Sequence, residues 1–84
     1  MDQKIKNLTL NMHIDHLCEL YEKEKFLTVI QKTKKLLIKF NDSISLLNIL
    51  GMSNSKIKKY NTAINYYLEA LKLNPNHPLT LFHL

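Results

Sequence analysis

Apolar residues recur through this chain at helical spacing and nowhere alternate as they would in a strand. From about Leu10 to Lys23, Ile14, Leu17, Cys18 and Tyr21 follow the i, i+3, i+4, i+7 rule of a helix with one buried face. A second helix is predicted over Lys25 to Phe40, with Phe26, Val29, Ile30, Leu37 and Phe40 turned inward. Asn41-Asp42-Ser43 breaks it and supplies cap residues for a third helix, from Ser43 or Ile44 to Ile57, with Leu47, Leu50 and Ile57 inward. Lys58-Lys59 forms a turn, and a fourth helix covers Tyr60 to Leu73. Pro75 cannot continue the helical ladder and disfavours helical geometry at Asn74, whereas Pro78 suits the first turn of a fifth helix. The polar stretch Met1 to Asn7 is expected to fray. The fold class is therefore all-α, with short connections making successive helices antiparallel neighbours.

The pattern repeats itself. A shift of 34 residues lays Lys25 on Lys59, Thr28 on Thr62, Ile30 on Ile64, Leu37 on Leu71, Leu47 on Leu81 and Leu50 on Leu84. Phe26 meets Tyr60, and Val29 meets Ala63. A helical period of this length is the mark of a solenoid, whose repeats cannot bury an apolar face alone. Gly51, the only glycine, sits inside an apolar helical pattern, where it costs about 1 kcal/mol relative to alanine. The expected reason is a neighbouring helix that approaches the bare backbone, with Ala63 and Ala70 on one face of the facing helix.

Leu47-x2-Leu50-Gly51, then Ala63-x3-Tyr67, Ala70 and Pro75, resemble the tetratricopeptide repeat pattern W-x2-L-G-x2-Y…A-x3-F…P. Leu47 stands in the Trp place and Asn54 in that of an aromatic, which implies looser packing there. The resemblance implies antiparallel helical hairpins stacked as a short right-handed solenoid of about 2.5 repeats. Residues 44–77 form the well-matched repeat. Residues 10–43 form a degenerate one, in which Leu17 replaces the glycine, Thr33 the second aromatic and Asn41 the proline. Residues 78–84 begin a third, with Leu81 and Leu84 in register, and residues 1–9 are a flexible N-terminus.

Composition limits the chemistry. With 84 residues and a net charge of +5 the chain suits an anionic partner, but all twelve basic residues are lysine. The bidentate arginine fork that reads guanine or clamps phosphate is missing, and a solvated lysine face fits better than a nucleic-acid patch. The single cysteine, Cys18, excludes an internal disulfide and fits a reducing, cytoplasmic compartment. No stretch approaches the ~20 apolar residues of a membrane span. His13, His16 and Cys18 with Asp15 and Glu19 form the one cluster resembling metal ligands, but no second pair stands at zinc-like spacing. His13 and His16 align with Leu47 and Leu50 and are instead expected to bury partly. One glycine leaves no phosphate loop, and no nucleophile–base motif is present. No metal, cofactor or catalysis is expected.

The surface implied by the resemblance is the inner face made by the first helix of each repeat. Mapped onto this chain, its residues are Asn11, Ile14, Cys18 and Tyr21, then Ser45, Asn48, Met52 and Ser55, then Leu79 and Phe82. Chaperone-binding members grip a terminal carboxylate with lysines, asparagines and an arginine. The clamp positions here read Ile14, Cys18, Ile49, Leu79 and His83, so none matches. The expected function is a protein–protein interaction module for a protein or peptide partner. The chain ends within an apolar run, which suggests a fragment of a longer protein or self-association through that end. The alternative is an accessory array preceding a bacterial enzyme domain such as a sulfotransferase or glycosyltransferase.

Overall fold

A computed structural model describes residues 3–84. The helices are α1 (Gln3–Glu22), α2 (Phe26–Lys39), α3 (Ile44–Lys56), α4 (Tyr60–Leu73) and α5 (Pro78–His83), with no strand among the described residues. Connections of three, four, three and four residues join them in order. Each helix packs on the next, and α3 also lies against both α1 and α5. Residues 3–9, within the N-terminal stretch expected to be flexible, belong to α1. Leu10 and Ile14 pack on the first core, and the ladder of this long helix continues back through the polar residues before them. Met1 and Asp2 lie outside the described residues.

The two short turns share one geometry. After α1, the Glu24 amide donates to the Tyr21 carbonyl at 2.9 Å and the Lys25 amide to Leu20 at 3.0 Å. After α3, Lys58 donates to Ser55 at 3.0 Å and Lys59 to Asn54 at 2.9 Å. Both are Schellman closures, which need a residue in the left-handed region just past the helix. Glycine is the usual choice, yet Glu24 (φ 61°) and Lys58 (φ 67°) fill that place here. The longer connections use caps: Ser43 Oγ accepts from the Leu46 amide at 3.2 Å, and His77 Nδ1 accepts from Thr80 at 3.4 Å. Pro78 opens α5, as its fixed φ and missing N–H predict.

Leu17 of α1, Val29 of α2, Phe40 just after α2, and Leu46 of α3 form the first core, each fully or almost fully buried. Burial of side chains this size stabilises by about 1.5–3 kcal/mol each. Cys18, placed in the inward stripe by its spacing, is exposed. His13 and His16 are exposed too, and Leu17 takes the buried place expected of them. A helix face so rotated leaves both imidazoles hydrated, which avoids the cost of burying a polar ring.

In the second repeat Leu47, Leu50, Gly51, Ala63, Tyr67 and Ala70 are buried between α3 and α4. The reason for Gly51 differs from the sequence expectation. A Cβ there would lie 2.6 Å from Tyr67 Cζ and 2.8 Å from Cδ1, so the group needing space is the Tyr67 ring rather than Ala63. At the equivalent places of the first repeat, Leu17 and Thr33 are both fully buried. The bulk has moved from one helix of the hairpin to the other: large on α1 and small on α2, small on α3 and large on α4. Asn54, in the expected aromatic place, is buried and donates from Nδ2 to the Leu50 carbonyl at 2.8 Å. Leu81 and Leu84, in register with Leu47 and Leu50, remain about half exposed.

Candidate peptide-binding cleft

The C-terminal half of α3 presents Met52, Ser55 and Lys56 on one face, at i, i+3 and i+4. Tyr21 near the end of α1 and His83 near the end of α5 join them from the two helices that flank α3. The Schellman turn contributes Lys58, and α4 contributes Tyr60 and Tyr67. Together these eight residues enclose an open cleft of about 430 Å³. Gly51 sets its depth, because only a bare backbone lets the Tyr67 ring lie beside α3. That ring stacks on the His83 imidazole at 5.7 Å with planes 7° apart, and Tyr21 meets Phe26 edge-on at 5.2 Å.

Residues 44–77 match the model of one known family, the tetratricopeptide repeat. Over this stretch the chain resembles a tetratricopeptide repeat. The stretch comprises α3, α4 and the connection to Pro78, 34 of the 84 residues. No curated protein and no solved structure matches the chain. A tetratricopeptide repeat is a protein-interaction unit, and its first helix supplies Met52, Ser55 and Lys56 to the cleft.

Of the ten residues the sequence nominated, the cleft brings together Tyr21, Met52 and Ser55. Asn48 lies elsewhere and is buried: its Oδ1 accepts from Thr80 Oγ1 at 3.0 Å, while its Nδ2 finds no hydrogen-bond partner. It cannot serve an extended peptide, because α5 covers it through Thr80. Ile14 is half-buried against the first core. Asn11, Cys18, Ser45, Leu79 and Phe82 are exposed and do not line the cleft. Lys56, Lys58, Tyr60, Tyr67 and His83 are the additions. Lys56 stands one turn beyond Met52, and that spacing could have found it. Tyr67 reads from sequence as core alone, and Lys58 owes its place to the turn geometry.

Electrostatics in and near the site favour neutral hydroxyls and a neutral thiol. Burial, with a smaller effect of Tyr21, pushes the Tyr67 hydroxyl up to about 12. Burial also raises Tyr21. The Cys18 thiol is raised by burial first, then by Asp15 and Glu22, which disfavours the nucleophilic thiolate. Among the described residues no group of three or more His, Cys, Asp and Glu side chains could hold a metal ion. No helix of the described residues is long and apolar enough to cross a membrane.

Proposed function

We propose that this chain binds an extended segment of another protein across the face formed by α1, α3 and α5, with one or two side chains seated in the cleft. The observation that carries this is the convergence of Tyr21, Met52 and Ser55, residues of two successive repeats, on a single cleft of about 430 Å³. That volume lies in the range of binding pockets, and aromatic walls with a few hydroxyls are the lining such pockets use. Met52 is half-buried and unbranched, so it can repack around different apolar side chains. The ring faces supply contact area, while the Tyr21, Ser55 and Tyr60 hydroxyls can meet the carbonyls and amides of a peptide backbone.

The test is selection of displayed random peptides on the chain, followed by affinities for variants. Met52→Glu is expected to weaken the selected peptides about tenfold or more. Ile38→Glu, on the exposed outer face of α2, is expected to leave them unchanged. Peptides that bind Met52→Glu as well as the parent chain would place the binding surface elsewhere and sink the proposal.

A further inference from the structure

The charge of the cleft identifies its ligand more closely than its shape does. Two of the eight lining side chains are lysines, and none is a carboxylate. Among the described residues the recorded ion pair is Lys23 with Glu19 at 3.5 Å, so neither Lys56 nor Lys58 is neutralised by a neighbour. Four hydroxyls and an imidazole complete the polar lining.

The turn that places Lys58 does not require a lysine there. Lys58 fills the left-handed position of its Schellman turn, and Glu24 fills the same position 34 residues earlier with nearly the same φ. The turn therefore needs a backbone conformation and is indifferent to the sign of the charge. Lys56 stands in the last turn of α3, where a cation pairs favourably with the helix dipole, as Lys39 and Lys72 do at the ends of α2 and α4. The closure itself does not require that cation, since α1 closes in the same way with no basic residue in its last turn. Lys59 takes part in the turn through its amide and does not line the cleft. Two cations and no carboxylate thus line the place where a ligand would sit.

Resting on the peptide-binding reading above, we propose that the cleft is selective for an acidic side chain, a Glu or Asp of the bound segment, held between Lys56 and Lys58 with an adjacent apolar or aromatic residue against Met52 and Tyr67. A carboxylate there would accept charge-assisted hydrogen bonds from the ammonium groups and neutral ones from the tyrosine hydroxyls. Lysine acts as a point charge without a fixed fork, so the site discriminates charge more than geometry. The resulting preference depends on ionic strength, because both ammonium groups stand near solvent.

The experiment measures fluorescence anisotropy with three labelled probes. The first is a peptide blocked at both ends that alternates Glu and Ala around a central Tyr. The second has Gln for every Glu, and the third is the Gln peptide with a free terminal carboxylate. The Glu peptide is expected to bind about tenfold tighter than the blocked Gln peptide at low salt. Lys56→Gln/Lys58→Gln should erase that difference without changing the melting midpoint. Equal binding of the blocked Glu and Gln peptides overturns acidic selectivity and leaves the peptide-binding reading standing. A free terminus that matches the Glu peptide overturns the choice of a side chain over a chain end. A Glu preference that survives in the double variant assigns the attraction to other lysines and overturns the proposal. Absence of binding by all three probes also overturns it, whereas peptide binding as such is decided by the Met52→Glu comparison.

Discussion

Exchanging the bulk between the two helices of the second repeat tests how this hairpin packs. Gly51→Leu places a branched side chain where a Cβ alone would stand 2.6 Å from Tyr67 Cζ. Overpacking of this kind costs about 1–3 kcal/mol, offset by roughly 0.8–1 kcal/mol for removing a glycine from a helix interior. Tyr67→Thr removes a buried ring and, by comparison with aromatic-to-alanine changes, costs about 3 kcal/mol or more. If the sites were independent, the pair would lose about 3–5 kcal/mol, comparable to the low end of the stability of a chain this size at roughly 0.05–0.15 kcal/mol per residue. The first repeat carries that very pair, Leu17 with Thr33, both fully buried. Thr33 Oγ1 there donates to the Val29 carbonyl at 2.6 Å, and a threonine at 67 could donate to Ala63 in the same way. The double variant Gly51→Leu/Tyr67→Thr is therefore expected to lose only about 1–2 kcal/mol, a coupling of roughly 2–3 kcal/mol. Urea unfolding of the four proteins measures it. In thermal scans each kcal/mol corresponds to about 4–8 °C for a chain of this size. A double variant that loses the sum of its parts would refute the exchange. So would Gly51→Leu alone gaining stability, the behaviour of a helix glycine with open space beside it.

Two further outcomes are expected. Glu24→Gly should raise stability by about 0.5–1 kcal/mol, the strain of a left-handed residue less the entropy a glycine loses on folding; a drop in the denaturation midpoint would show that the turn tolerates glutamate without strain. Tyr67 keeps its proton to about pH 12 when folded and gives it up near pH 10 when unfolded, so the unfolded chain holds fewer protons between those values. Its contribution is complete below pH 10 and fades as pH rises toward 12. Tyr67→Phe should flatten that decline, and an unchanged slope of stability against pH in this window would contradict the burial of the hydroxyl.

Much of the fold was legible because local chemistry and apolar period agree. Pro75 and Pro78 delimit the last connection, Ser43 caps α3, and Ala63, Tyr67 and Ala70 mark the buried face of α4. The inward stripe of α1 was legible in Ile14, Leu17 and Tyr21, whereas the exposure of His13, His16 and Cys18 beside it is decided by packing. The site was legible in part. A pattern along one helix nominated Met52 and Ser55, but whether a neighbouring helix covers a nominated position is a tertiary fact, and α5 covers Asn48. Lys58 enters the cleft through a left-handed turn residue that no glycine announces.

The same dependence on neighbours explains why equivalent positions behave so differently along the repeat. Met12, Leu46 and Thr80 stand 34 residues apart in turn. Leu46 is fully buried with Leu17, Val29 and Phe40 of the repeat before it, and Thr80 is fully buried and bonded to Asn48. Met12, with no described helix before α1 to pack on, is 73 % exposed. On the opposite side, Ile30 lies on α2, which α3 covers, and is 8 % exposed, whereas Ile64 at the same place on α4 is 43 % exposed beside the short α5. Burial here is thus a property of repeat and neighbour together, as expected when stability is a sum of unit and interface contributions. The cleft obeys the same rule. Its walls come from α1, α3, α4 and α5, so no single hairpin contains it, and a ligand seated there would couple both hairpins and α5.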